Sequence, residues 1–295
     1  MSTATDMLVS RKYAKRSGLA EIWYRLKTNK GAIAGFTIIV IILLITLYSI
    51  LFIDFEEVTA MNAANRLQPP SLEHPFGTDD MGRDLFLRTL YGSRYSLLIG
   101  VGGVSISLII GLILGSVAGY FGGLVDDLIM RFSDILASVP VFLMGMVIVT
   151  VLGQSLQNLI IAVGVTAIPE FTRITRSSVL VVRNQEFVEA ANAIGMSNLA
   201  IIFTQVVPNG LSPIIVTVTS RIGAAIIEAA ALSFLGFGIP VPHPEWGLLV
   251  SEGRNYIRTA PNLTYFPGLF IMITVFAFNI LGDGLRDALD PKLKK

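Results

Sequence analysis

Residues 186–209 read EFVEAANAIGMSNLAIIFTQVVPN, a polar interruption in an otherwise strongly apolar chain. Asn184 and Gln185 lead into it, and Glu186, Glu189 and Asn192 follow, which is too much polarity for a lipid environment. Its Glu, Ala and Phe content, with no Pro before Pro208, favours helix over loop. Gly195 is placed to end one short helix in a left-handed conformation, and the hydroxyl of Ser197 to start the next. The stretch therefore predicts helix, glycine bend, helix: a rigid bracket outside the membrane that returns the chain to it at Pro208. An Ala-rich face (Ala190, Ala191, Ala193) suits a groove on another protein.

Around the bracket the composition is that of a membrane protein. Of 295 residues 53% are apolar and only 15% charged, with a mean hydropathy of +0.69. Soluble domains carry about 25% charged residues. Several apolar runs reach the roughly 20 residues that a bilayer core requires. The class is all-α, polytopic and membrane-embedded. A net charge of +1 gives no bulk electrostatic case for nucleic acid, and the lack of Cys excludes disulfides and thiolate metal sites.

The apolar runs predict six spans, at about residues 31–53, 96–120, 135–152, 159–171, 211–237 and 263–281. No convincing cleavage site follows the first, so it reads as an uncleaved helix rather than a signal peptide. The chain then divides into a cytoplasmic N-terminal segment 1–30, a first helix with its external loop 31–93, a five-helix core 94–284 holding the cytoplasmic loop 174–210, and a tail 285–295. With both termini inside, the inner segments hold fifteen Lys and Arg and the outer ones six, Arg221 falling within span five. That asymmetry follows the positive-inside rule and sets the orientation.

Gly111, Gly115 and Gly119, at four-residue spacing, predict a smooth strip for close helix packing. In the first external loop Thr78 is placed to cap a helix with Asp79 and Asp80 in its first turn. Asp79, Asp80, Arg83 and Asp84, with Trp246 from the later external loop, are candidates for contact with a docking receptor. Their D-D-x-x-x-D spacing lacks the alternating ligands of a calcium loop. His74 and His243 lie far apart in Pro-rich loops and do not make a metal site. Asp126 and Asp127, adjacent on a helix, point about 100° apart and make a poor acid/base pair. Arg221 and Glu228 lie two turns apart on roughly one helix face within the membrane. Intramembrane charges usually face a bundle interior or a water-filled cavity. These two either line a translocation path or anchor a helix interface.

Four motifs resemble one family. Glu189, Ala190 and Ala191, then Gly195, then Pro208 and Asn209, are similar to the EAA loop of bacterial ABC importer permeases. HPFGTDDMGRD (74–84), EAAALSFLGFG (228–238) and NILGDGLRDALDP (279–291) resemble the C-type permease subunit of dipeptide/oligopeptide importers. Gln205 stands where many relatives carry His, and Tyr265 where Trp is expected. The resemblance implies the type I ABC importer transmembrane fold in a bacterial inner membrane. It implies a B-type permease partner, two cytoplasmic ATP-binding subunits and an extracytoplasmic peptide-binding protein. It makes Glu189, Ala190, Ala191, Gly195 and Pro208 the ATPase-coupling residues; the plainer reading of Glu189 is a solvated surface carboxylate.

No G-x-x-x-x-G-K-[ST] loop occurs, so ATP-binding of that kind is not encoded, and no cofactor is implied. A permease for nickel or another small solute fits the same motifs. A secondary transporter would often show an internal repeat, which is not evident. A membrane hydrolase would need a nucleophile–base pair or an H-E-x-x-H motif, and neither is present.

Overall fold

A lipid-immersed backbone must satisfy its amides within its own segment, and helices do this. The computed structural model describes residues 18–289. The predicted basic flank of Arg11, Lys12, Lys15 and Arg16, the tail lysines Lys292, Lys294 and Lys295, and the last two residues of the C-terminal motif lie outside that range. Among the described residues all regular structure is helical, apart from one isolated bridge between Thr78 and Asp84. The main helices are α1 (Gly18–Thr28), α2 (Lys30–Phe52), α3 (Leu85–Phe121), α4 (Gly123–Ser138), α5 (Val141–Leu152), α6 (Leu156–Arg183), α7 (Glu186–Ala193), α8 (Leu211–Phe234), α9 (Trp246–Gly253) and α10 (Asn262–Leu289).

Four of these, α2, α3, α8 and α10, are long and apolar enough to cross a membrane, and a fifth crossing results if α4 and α5 count as one broken span. The predicted run 135–152 is thus two helices that meet at 88°. The cause is Pro140. A residue before proline avoids the α conformation, and Val139 is extended at φ −88°, ψ 127°. The 12 residues of α5 span only about 18 Å, short of the ~30 Å core. The predicted fourth span lies within α6, which runs on through Pro169, Glu170, Arg173 and Arg176 to Arg183.

The second span also starts earlier than predicted. Asp84, and not Thr78, caps α3, accepting from the Leu87 amide at 2.8 Å. Thr78 is buried in the loop, where its hydroxyl bonds the Asn65 carbonyl and the Gln68 amide. At 37 residues α3 is about 55 Å long, so its first turns lie beyond an apolar core of ordinary thickness. Arg94 makes that possible by donating from Nε to Ser49 Oγ at 2.8 Å and from Nη2 to the Ile53 carbonyl at 3.1 Å, tying α3 to the end of α2.

The most extensive helix pair is α3 with α6. The predicted glycine strip is its seam. A Cβ on Gly111 would stand 2.4 Å from Phe171 Cβ, one on Gly115 2.5 Å from the Thr172 carbonyl oxygen, and one on Gly119 2.9 Å from the Arg176 carbonyl oxygen. Gly111→Leu is expected to destabilise the protein by about 1–3 kcal/mol through overpacking. Gly268→Ala, where the new Cβ meets nothing within 4 Å, should be neutral or slightly stabilising. Thermal unfolding of the two variants in one detergent checks the contrast.

Candidate functional site

The bracket has the predicted form, with one change of face. Helix α7 ends in a Schellman arrangement: the Met196 amide donates to the Ala191 carbonyl at 3.1 Å and the Gly195 amide to the Asn192 carbonyl at 3.0 Å. Gly195 takes φ +81°, where a Cβ would be strained. Ser197 then caps the next turn, Asn198–Ile201, accepting from the Ala200 amide. A wider turn, Ile202–Val206, carries Gln205 and leads into Val207–Asn209, with Pro208 in its first turn.

Val188 and Ala191, three residues apart, are buried against Val179, Val182, Ile201 and Val206. Glu186, Glu189, Ala190 and Ala193 form the opposite face, all exposed. The three alanines therefore do not share a surface, because at 100° per residue Ala191 turns away from Ala190. Phe187, Ile194, Leu199 and Phe203 add exposed apolar area beside the two carboxylates.

The bracket is anchored where it leaves α6. Arg183 donates from Nη1 to the Gly119 and Tyr120 carbonyls at 3.0 and 2.8 Å, satisfying the last turn of α3. Arg176 forks onto both carboxylate oxygens of Asp126 on α4, and Arg173 donates to Asp134 at 2.8 Å. Asp126 is thus an ion-pair partner of α6, while Asp127 does not share that pair.

Within the helical bundle, Arg221 and Glu228, expected on one face of α8, are in direct contact. Arg221 Nη2 donates to Glu228 Oε2 at 2.9 Å, and Thr166 Oγ1 on α6 donates to Glu228 Oε1 at 2.7 Å. Glu228 is buried, whereas Glu170, whose Oε2 lies 3.6 Å from Arg221 Nε, is 47% exposed at its side chain. Arg221, Glu170, Thr166 and Arg173 share a cavity of about 370 Å³ with Val139 and Val141 from the α4–α5 bend. Arg221 and the proline bend thus face one space, with Glu228 buried behind Arg221.

The layer formed by loop 54–84 and α9 is built on buried charge. Asp79 accepts from Arg83 Nε at 2.6 Å, from the Met81 and Arg83 amides, and from Arg88 Nη1. Glu252 of α9 accepts from Arg88 Nη1 at 3.0 Å and lies 3.5 Å from Arg83 Nη2. Arg88, Arg83 and Asp79 are 1, 2 and 4% exposed. Trp246 is fully buried, donating from Nε1 to the Thr89 carbonyl at 2.8 Å. Of the predicted docking residues, Asp79, Arg83 and Trp246 are therefore internal supports, since a buried side chain offers no surface, while Asp80 and Asp84 stay partly exposed. His74 pairs with Asp84 at 2.7 Å and His243 bonds the Tyr95 hydroxyl at 3.0 Å, so the two histidines hold separate loops.

Compared with known proteins, residues 111–295 match the family described as binding-protein-dependent transport system inner membrane component. Residues 17–70 match the N-terminal TM domain of oligopeptide transport permease C. The chain belongs to this permease family. It is a multi-pass inner-membrane component. The dipeptide transport system permease protein DppC of Alkalihalophilus pseudofirmus is 48% identical over 96% of this chain and 93% of its own length. The oligopeptide transport system permease protein OppC of Bacillus subtilis is 43% identical over 92% and 88%. The glutathione transport system permease protein GsiD of Escherichia coli is 42% identical over 93% and 90%. The inward-facing MetNI methionine ABC transporter matches the fold with a TM-score of 0.58 at 18% identity, over 70% of this chain and 98% of that one. An amino acid ABC transporter matches with a TM-score of 0.52 at 12% identity, over 68% and 92%.

In this permease the residues that sequence reasoning missed are Arg88, Glu252, Glu245 and Glu170. Arg88 lies nine residues beyond Asp79, a spacing that signals a local pair once Asp84 is known as the cap. Glu252 joins from 164 residues away, and no local pattern announces it. Glu245, fully buried, caps α9 and accepts from Ser96 Oγ at 3.1 Å. Arg88→Met is expected to cost about 3–5 kcal/mol, since it leaves Arg83 alone to balance two carboxylates, Asp79 and Glu252, in a largely buried cluster. A double-mutant cycle of Arg88→Met with Asp79→Leu should show strong coupling in unfolding free energy.

Proposed function

We propose that this permease is one transmembrane half of an ATP-driven peptide importer of the type I arrangement. In this reading α2, α3, the bent pair α4–α5, α6, α8 and α10 are six crossings, with both termini in the cytoplasm. The excess of Lys and Arg on the bracket's side supports that orientation. Peptide cargo is supported by three relatives named for dipeptide, oligopeptide and glutathione transport. The second half of the path is a related B-type permease, two ATP-binding subunits sit inside, and an extracytoplasmic peptide-binding protein docks outside.

The observation that carries the reading is the two-faced bracket. Glu189 and Ala190 stand on its outer face and Ala191 on the face packed against α6. An ATPase subunit grips the outer face, and the inner face passes its movement to α6 as a rigid lever. Ala191, Gly195 and Pro208 keep the bracket in shape, while Glu189 and Ala190 make contact. Along α6 the movement reaches Glu170 and Thr166, beside Arg221 on the path and Glu228 bonded behind it. Outside, the partly exposed Asp80 and Asp84 meet the binding protein on a layer stiffened by Asp79, Arg83 and Trp246.

Ala190→Trp tests this in the reconstituted complex. Because Ala190 is exposed, stability should change by less than about 0.5 kcal/mol. Peptide uptake is expected to fall to background while the ATPase subunits lose their response to loaded binding protein. Normal uptake by Ala190→Trp, with normal expression, would sink the coupling role.

A further inference from the structure

We infer that α1, the start of α2 and the end of α10 form a binding site for an anionic phospholipid. Asn29 turns the chain between α1 and α2, its side chain accepting from the Ala32 amide at 3.1 Å, and α1 folds back along α10. Ala32 is seated in the notch at Gly284, where an added Cβ would lie 2.3 Å from Ala32 Cβ. This leaves a cavity of about 380 Å³ among Trp23, Leu26, Lys27, Ile33, Phe36 and Leu281.

Apart from Lys27 its walls are apolar. Water needs two to four polar partners to settle in such a space, whereas an acyl chain needs none. Trp23 meets Phe36 edge-on at 6.2 Å, and the Lys27 ammonium stands 5.1 Å over the Trp23 ring. That combination, an aromatic side chain with a cation at the end of an apolar span, is the chemistry of the headgroup level.

Charge selects the lipid. Arg25, Lys27 and Lys30 fall within six residues, and Lys27 and Lys30 are exposed. On the facing element the acids are Asp283 and Asp287, with Arg286 between them, and Asp287 accepts from Asn29 Nδ2 at 3.3 Å. The cationic rim therefore lies on the α1–α2 side of the cavity and suits one phosphodiester, with an acyl chain against Trp23 and Phe36. This inference depends on the membrane location that the family gives, and not on the coupling role of the bracket.

Bromine-labelled lipid tests it, because bromine quenches tryptophan emission only on contact. The full-length chain, assembled with its partner subunits, is placed in vesicles of phosphatidylcholine and phosphatidylglycerol at fixed ratio, with either one or the other lipid brominated. The Trp23 signal is the emission lost in Trp23→Phe; Trp246 is fully buried and unchanged by that substitution. Brominated phosphatidylglycerol is expected to quench Trp23 well beyond its mole fraction. Lys27→Gln with Lys30→Gln, two surface changes, should abolish the preference, at roughly fivefold in relative affinity per lysine. Quenching of Trp23 in proportion to mole fraction by both lipids would reduce the site to ordinary annular lipid and overturn the inference. Absence of quenching by either lipid would mean that a protein segment fills the cavity, and would overturn it equally.

Discussion

The close approach of α3 and α6 is the contact on which the rest of the molecule depends. Between helices in lipid there is no hydrophobic gain from burying leucine, so association rests on backbone proximity and shape. Gly111, Gly115 and Gly119 remove the side chains that would hold the axes apart, and Phe171, Thr172 and the Arg176 carbonyl occupy the space. The same seam sets the bracket. Gly119 accommodates Val179, Val179 begins the cluster that buries Val188 and Ala191, and Arg183 closes the last turn of α3. Widening the seam at Gly119 would displace the bracket along with α6.

Charge is handled differently at three levels of the fold. Where loop 54–84 meets α9, Asp79, Arg83, Arg88 and Glu252 neutralise one another in a largely buried cluster, which fixes that loop against the helix. Such a cluster adds little net stability over an apolar replacement but punishes loss of one member, so it acts on register. Within the bundle Arg221 pairs with the buried Glu228 and, at the cavity wall, lies 3.6 Å from a second carboxylate, Glu170. On the bracket Glu186 and Glu189 remain in solvent. The gradient runs from locked, through partly open, to free.

The helical class, the bracket's two helices, the bend at Gly195, the glycine seam and the common face of Arg221 and Glu228 were all legible in the sequence, because each depends on residues within a few turns, whereas the ion pair between those two was not. What was not legible depends on distance along the chain or on a competition between signals. Thr78 looks like a cap because Asp79 and Asp80 follow it, yet Asp84 wins, since Asp79 is already committed to two arginines. Pro140 lies inside one apolar run, and the length of that run outweighs the break at Val139, where the axis turns by 88°. The charges at Glu170, Arg173 and Arg176 argue for ending a span near Phe171. They do not end the helix, because Arg173 and Arg176 find Asp134 and Asp126 on α4.

The bracket's surface follows from the same geometry. A helix of eight residues can bury only one narrow stripe, and Val188 with Ala191 uses it. Ala191 is small because Val179, Val182 and Ile201 already fill the inner space, so its size serves packing. Among the described residues Ala190 has no such neighbour, and it is exposed, so packing among them does not explain its size. A small residue flanked by Glu186 and Glu189, with exposed Phe187 and Ile194 beside it, is the composition of a surface that another protein covers. In the proposed assembly the two alanines divide the work: Ala191 holds the lever to α6, and Ala190 lets the ATPase subunit come close.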